Sequence, residues 1–80
     1  MTIPMDVIYN AARDIIRTVQ RRRIQKMPLG NFIKILEKRC GVELSRESKE
    51  EILNALEEEG RIKIVKSKYG KRYVIIGDLI

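Results

Sequence analysis

Residues 45 to 76 read SRESKEEILNALEEEGRIKIVKSKYGKRYVII, and the order of signals in this stretch decides the fold. Ile52, Leu53 and Leu56 recur at helical spacing, and Gly60 supplies the stop. Two N-caps compete. Ser48 with Glu51 forms an S-x-x-E capping box, but Ser45 gives a full-length helix with the apolar residues inward, so Ser45 is preferred. Directly after Gly60, Ile62 and Ile64 alternate with Arg61 and Lys63, and Tyr73 to Ile76 pairs back through a turn containing Gly70. A helix over 45–59 is therefore expected to run without slack into a hairpin over 61–76.

The segments before it read as two more helices. Leu29, Phe32, Ile33, Leu36 and Cys40 follow i, i+3, i+4, i+7 spacing, which predicts a helix over 28–39 capped by Gly41, with Val42 to Leu44 as a turn. Arg22 to Met27 is too polar for a helical stripe, and Pro28 disfavours helix just before it. Ile24 and Met27 anchor a short extended segment there, an extra strand near 23–27. The first helix is expected over 5–21, with Pro4 at the first helical position and Asp6 near the positive end of the helix dipole. Its apolar residues Val7, Ile8, Ala11, Ala12, Ile15, Ile16 and Val19 cover about half the circumference, wider than a surface helix needs. Two readings stay open for that width: a homodimer interface through Val7, Ala11, Ile15 and Ile16, or two faces of a monomer core.

The 80 residues make one small domain, 1–80, whose thin core a partner would help. No stretch approaches the ~20 apolar residues of a membrane span. Met1 to Met5 carries no charge and leads straight into an amphipathic segment, so no secretory leader and a cytoplasmic location are expected. The single Cys40 reads as a small apolar residue, and with no histidine the usual zinc ligand sets are missing. No metal or cofactor is expected. There is no nucleophile–base pair and no phosphate-binding G-x-x-x-x-G-K loop, so the chain is not expected to be an enzyme. The wealth of Lys, Arg, Glu and Ile is in keeping with a thermophilic source.

Net charge is +6, which favours an anionic partner, and its distribution says more than its total. Arg13, Arg17, Arg21, Arg22, Arg23 and Lys26 stand against one acid, Asp14. Arg61, Lys63, Lys66, Lys68, Lys71 and Arg72 form a second block with no acid. Between the blocks, residues 45–59 hold six glutamates against Arg46 and Lys49.

The three helices in order, the run PLGNFIKILEKRCGVELSRESKEEILNALEEEGRIKI and the basic hairpin resemble a winged helix-turn-helix domain over residues 5 to 77. The segment Leu56 to Lys63 resembles the turn from third helix to wing in that superfamily. The resemblance implies an α+β fold, a three-helix core with a C-terminal β-hairpin wing. Its members include transcription regulators, replication and polymerase accessory domains and protein-interaction modules. In DNA-binding members the third helix enters the major groove and the wing touches phosphates. Carried over by position, Arg46, Ser48, Lys49 and Asn54 would contact DNA from the helix, and Lys66, Lys68, Tyr69, Lys71 and Arg72 from the wing. Leu29 to Asn31, at a helix start, would hold a phosphate.

The residues complicate that assignment. With Ile52 and Leu56 inward, the outward face holds Glu47, Glu50, Glu51, Asn54, Glu57 and Glu58, which phosphates repel; only Asn54 suits base readout. The expectation is duplex DNA binding led by the wing and the first turn of the third helix, in a small transcription regulator. Arg21, Arg22 and Arg23 form a further cluster that either grips a backbone or simply solvates a helix end. The alternative is a protein-interaction domain, an accessory subunit of a replication or transcription complex, docking through the acidic face or binding the Arg13/Arg17/Arg21 stripe of a neighbour. Structured RNA is a third option for the basic surface.

Overall fold

A computed structural model describes residues 4–76, as three helices and a three-stranded antiparallel sheet. The rest of the expected domain, 1–3 and 77–80, and with it most of the charge-free start, lies outside the described residues. Helix α1 spans Met5–Arg21. Pro4 sits one place earlier than expected, at the N-cap, where its carbonyl accepts from Val7 and Ile8 at 3.1 and 3.4 Å. The missing proline N–H costs nothing there. The helix closes when Ile24 N–H donates to the Val19 carbonyl and Arg23 takes a left-handed φ of 59°.

Strand β1, Lys26–Pro28, begins later than the extended segment expected near 23–27 and includes Pro28, which was expected to open the next helix. Pro28 stands at the end of an edge strand, where no ladder bond needs its nitrogen. Helix α2, Leu29–Cys40, follows at once and ends at Gly41, whose φ of 73° only glycine adopts cheaply. Glu37 ties down the following turn, its carboxylate accepting from Leu44 N–H at 2.7 Å.

Helix α3, Arg46–Glu58, takes Ser45 as its cap; the Ser45 Oγ accepts from Ser48 N–H at 3.1 Å. That bond satisfies one of the orphan amides of the first turn. Replacing Ser45 with alanine is expected to cost about 1 kcal/mol, read as a lowered urea midpoint with an unchanged m-value. Gly60 ends the helix at a φ of 75°, and Arg61 N–H reaches back to the Leu56 carbonyl at 3.1 Å. Strands β2, Ile62–Lys66, and β3, Arg72–Ile76, then form the hairpin. Its turn is built on Ser67, whose Oγ accepts from Tyr69 and Lys71 N–H.

The strand order is β1-β3-β2, so the last strand in the chain is the middle of the sheet. Met27, Val74, Ile76 and Ile62 point from the sheet into one core with the buried faces of all three helices. Phe32, Leu36, Leu56, Val74 and Ala12 are fully enclosed. Ile15 and Ile16, expected as candidates for a dimer interface, are 2% and 1% exposed and belong to this core. The apolar arc of α1 is wide because the helix touches α2, α3 and β3. Of the four candidates only Val7 is open, at 52%, while Ala11 is half-buried against the core. Among the described residues, no helix is long and apolar enough to cross a membrane.

Candidate nucleic-acid interface

The start of α2, the start of α3 and the turn end of the β2–β3 hairpin meet around an open groove of about 760 Å³. Local sequence explains the meeting. Pro28 ends β1 and lets α2 begin immediately, so the first turn of α2, Leu29 to Asn31, lies on the rim. Ser45 fixes where α3 begins, which brings Arg46 and Lys49 to the same rim. Pairing of Lys66 with Arg72 places Lys71 and Arg72 opposite them.

Five cations line the groove: Lys34, Arg46, Lys49, Lys71 and Arg72. The two carboxylates in the lining are already engaged, Glu37 by Leu44 N–H and Glu50 by Arg72 at 3.4 Å. The first-turn amides of α2 have no side-chain cap, and helix geometry leaves such amides without intrahelical acceptors. A Cβ built on Gly30 meets nothing within 4 Å, so the backbone is open to close approach there. Amides at a helix start and converging cations both attract phosphate.

Of the residues expected at the interface, Arg46, Lys49, Lys71 and Arg72 come together here. Lys66, Lys68 and Tyr69 stand exposed around the hairpin turn, with Tyr69 86% exposed and the Lys68 ammonium 5.3 Å from its ring. Ser48 takes part in the α3 cap, its amide donating to Ser45 Oγ and its hydroxyl accepting from it. Asn54 falls on the line Glu47, Glu51, Asn54, Glu58, at i, i+4, i+7, i+11, all of it exposed. This line would face the floor of a DNA groove, and three of its four residues are acids. Arg21, Arg22 and Arg23 are exposed at the end of α1 and do not line the groove. Lys34 was absent from the expected contacts. Only its place one turn after the helix start, on the same side as Asn31, pointed to it.

The remaining glutamates hold the fold. Glu57 accepts from the outward N–H of Ile64 on the edge strand β2 at 3.0 Å. Glu59 joins Arg13 at 3.1 Å and Arg61 at 2.7 Å, linking α1 to the end of α3 and the start of β2. Arg13, expected as part of a stripe for a neighbour's acids, is thus committed within its own chain. Its guanidinium lies 4.6 Å from the Tyr9 ring centre, a cation–π contact that offsets part of the cost of its buried, unbonded Nε. Tyr9, Arg61 and Arg13 together hold the Glu59 carboxyl down to about 2, from the ordinary 4.5.

A pH dependence follows. The folded value lies below the unfolded one, so the unfolded chain binds this proton more tightly. The stabilisation from Glu59 is complete above pH 4.5 and is lost as pH falls towards about 2. Melting temperatures of the native chain should fall more steeply across that window than those of Glu59→Gln; parallel curves would refute the coupling. Burial raises the Cys40 thiol, which disfavours its thiolate.

No known protein family, curated protein or solved structure matches this chain.

Proposed function

We propose that the chain is a winged-helix, non-enzymatic protein that binds duplex DNA, in the manner of a small transcription regulator. The reading is carried by one observation: five cations from α2, α3 and the hairpin converge on a single groove that holds two carboxylates, one of the five, Arg72, being paired with Glu50. The sheet order β1-β3-β2 with three helices on one face is compatible with a winged helix. The hairpin and the first turns of α2 and α3 clamp the phosphate backbone, and the acidic line of α3 is held away from the groove floor. Such contact positions the protein without reading much sequence. Asn54 shares that line and is held off the base edges with it.

Salt titration of a short duplex tests this. Neutralising about four to five phosphates gives a slope of log K against log salt near −4, at about 0.9 per phosphate. A flat dependence, or no binding at ~50 mM salt, removes the proposal.

The competing reading is an accessory domain that docks a basic protein through α3. Glu47, Glu51 and Glu58 would carry it, beside Glu50 and Glu57, which also bond Arg72 and the Ile64 N–H.

A further inference from the structure

The sheet has a second face, turned away from the core, and no described helix packs on it. Register and burial define it. Val74, Ile76 and Met27 face inward, so their neighbours in each strand face outward. Two rows cross the three strands on that side: Pro28–Tyr73–Val65, and beside it Lys26–Ile75–Lys63. Tyr73, Val65 and Ile75 are half-buried, whereas Lys26 and Lys63 are exposed.

The outer face of an antiparallel sheet is normally polar. Here the centre is apolar and aromatic, lysines frame it and neither row holds a carboxylate. The Lys26 ammonium lies 4.5 Å from the Tyr73 ring centre, and the Lys71 ammonium lies 5.6 Å from it. Two cations are therefore gathered around one ring, on a face three strands wide.

We infer that this face binds single-stranded nucleic acid, with Tyr73 as the platform for one base and Lys26, Lys63 and Lys71 as phosphate partners. A ring among lysines meets both halves of a nucleotide. The base takes the ring, and the displaced ammonium groups move a few ångströms to the phosphates. Stacking on an aromatic side chain needs an unpaired base, which a closed duplex does not offer. An anionic membrane would also meet lysines, but it has no use for one ring at the centre of a sheet. The inference does not rest on duplex binding in the groove. The two surfaces share Pro28, at the end of one outer row, and one cation, Lys71, which both lines the groove and approaches Tyr73.

The probe is a fluorescein-labelled oligothymidylate of about 15 nucleotides, within the range of single-strand site sizes. Its anisotropy is compared with that of a duplex of the same length and with sedimentation of anionic phospholipid vesicles. Tyr73→Ile keeps an apolar strand-forming residue and removes the ring; it should weaken oligothymidylate binding at least fivefold, the lower end of the range for one stacked base. Lys26→Ala and Lys63→Ala should each flatten its salt slope by about 0.7. Duplex binding should stay within about twofold for these three variants, since none carries a groove cation. A readout that does not depend on Tyr73→Ile folding is tyrosine emission. With Tyr9→Phe and Tyr69→Phe, Tyr73 is the only tyrosine left, and its emission should be quenched as the oligonucleotide binds.

Four results overturn the inference. They are no oligonucleotide binding, equal binding by Tyr73→Ile, unquenched Tyr73 emission at saturation, and binding of vesicles in place of the oligonucleotide. If oligonucleotide binding is lost with groove variants at Arg46 and Lys49 and not with Tyr73→Ile, the strand lies in the groove and the sheet-face site is wrong.

Discussion

Reversing Arg46 and Lys49 together to glutamate should abolish duplex binding, by a hundredfold or more at ~50 mM salt. Both residues line the groove, and among the described residues neither forms an ion pair. Their reversal takes away two phosphate partners, about 1.8 of the salt slope, and puts two like charges against the backbone. Stability should move the other way. Arg46 and Lys49 lie in the first turns of α3, where cations oppose the helix dipole and glutamates complement it. The variant should therefore melt at the same temperature as the native chain or slightly above it. Binding lost with stability kept points to the groove itself. Unchanged binding in a folded variant would show that the groove does not hold DNA.

The largest loss of stability is expected from Phe32→Ala. Phe32 is the only phenylalanine, 0% exposed, on the buried face of α2. Truncating an enclosed aromatic residue costs about 3–5 kcal/mol, from lost burial and from the void left behind. A chain this short typically has about 4–12 kcal/mol in total, at 0.05–0.15 per residue. The variant should therefore melt roughly 12–40 °C lower, and at the upper end it is unfolded at room temperature. Circular dichroism through a thermal ramp reads the result. A loss below about 1.5 kcal/mol would mean that the neighbours collapse into the space, as in a volume-conserving change.

Why these two outcomes differ so much in legibility is a matter of range. The core was readable because burial is periodic. The spacing from Leu29 to Leu36, and Ile52, Leu53 and Leu56, marks the inward face of a helix whatever lies opposite. Stops and caps are equally local, so Ser45, Gly41, Gly60 and the hairpin turn stand where their chemistry puts them. Pro28 was misplaced because a strand end and a helix start make the same demand of a proline, freedom from donating a hydrogen bond.

Partners across the fold are another matter. Arg13 meets Glu59 over 46 residues, and nothing in either neighbourhood announces the other. The glutamates of α3 looked alike along the chain, yet Glu50, Glu57 and Glu59 are bonded internally while Glu47, Glu51 and Glu58 face solvent. The wide arc of α1 was ambiguous for a similar reason. Width reports how much surface is covered, and a partner helix covers it as well as a partner molecule does. The groove was named in pieces, through Arg46, Lys49, Lys71 and Arg72, because charge is visible in sequence. Lys34 was missed because its contribution depends on where the start of α2 sits against the hairpin.

The middle strand β3 limits which changes in length the chain tolerates. Its residues alternate between core and outer face: Tyr73 out, Val74 in, Ile75 out, Ile76 in. Losing or gaining one residue inside β3, next to Tyr73, would exchange the two sets, driving a phenol into a space shaped for valine and turning the inner aliphatic row to water. Both edge strands take their register from β3, so neither could compensate. Substitutions at Tyr69, at the hairpin tip, leave this phase untouched. Variation in this protein is therefore expected as exchanged residues on β3 and as altered loop length only where the extra residue can be absorbed between Ser67 and Lys71.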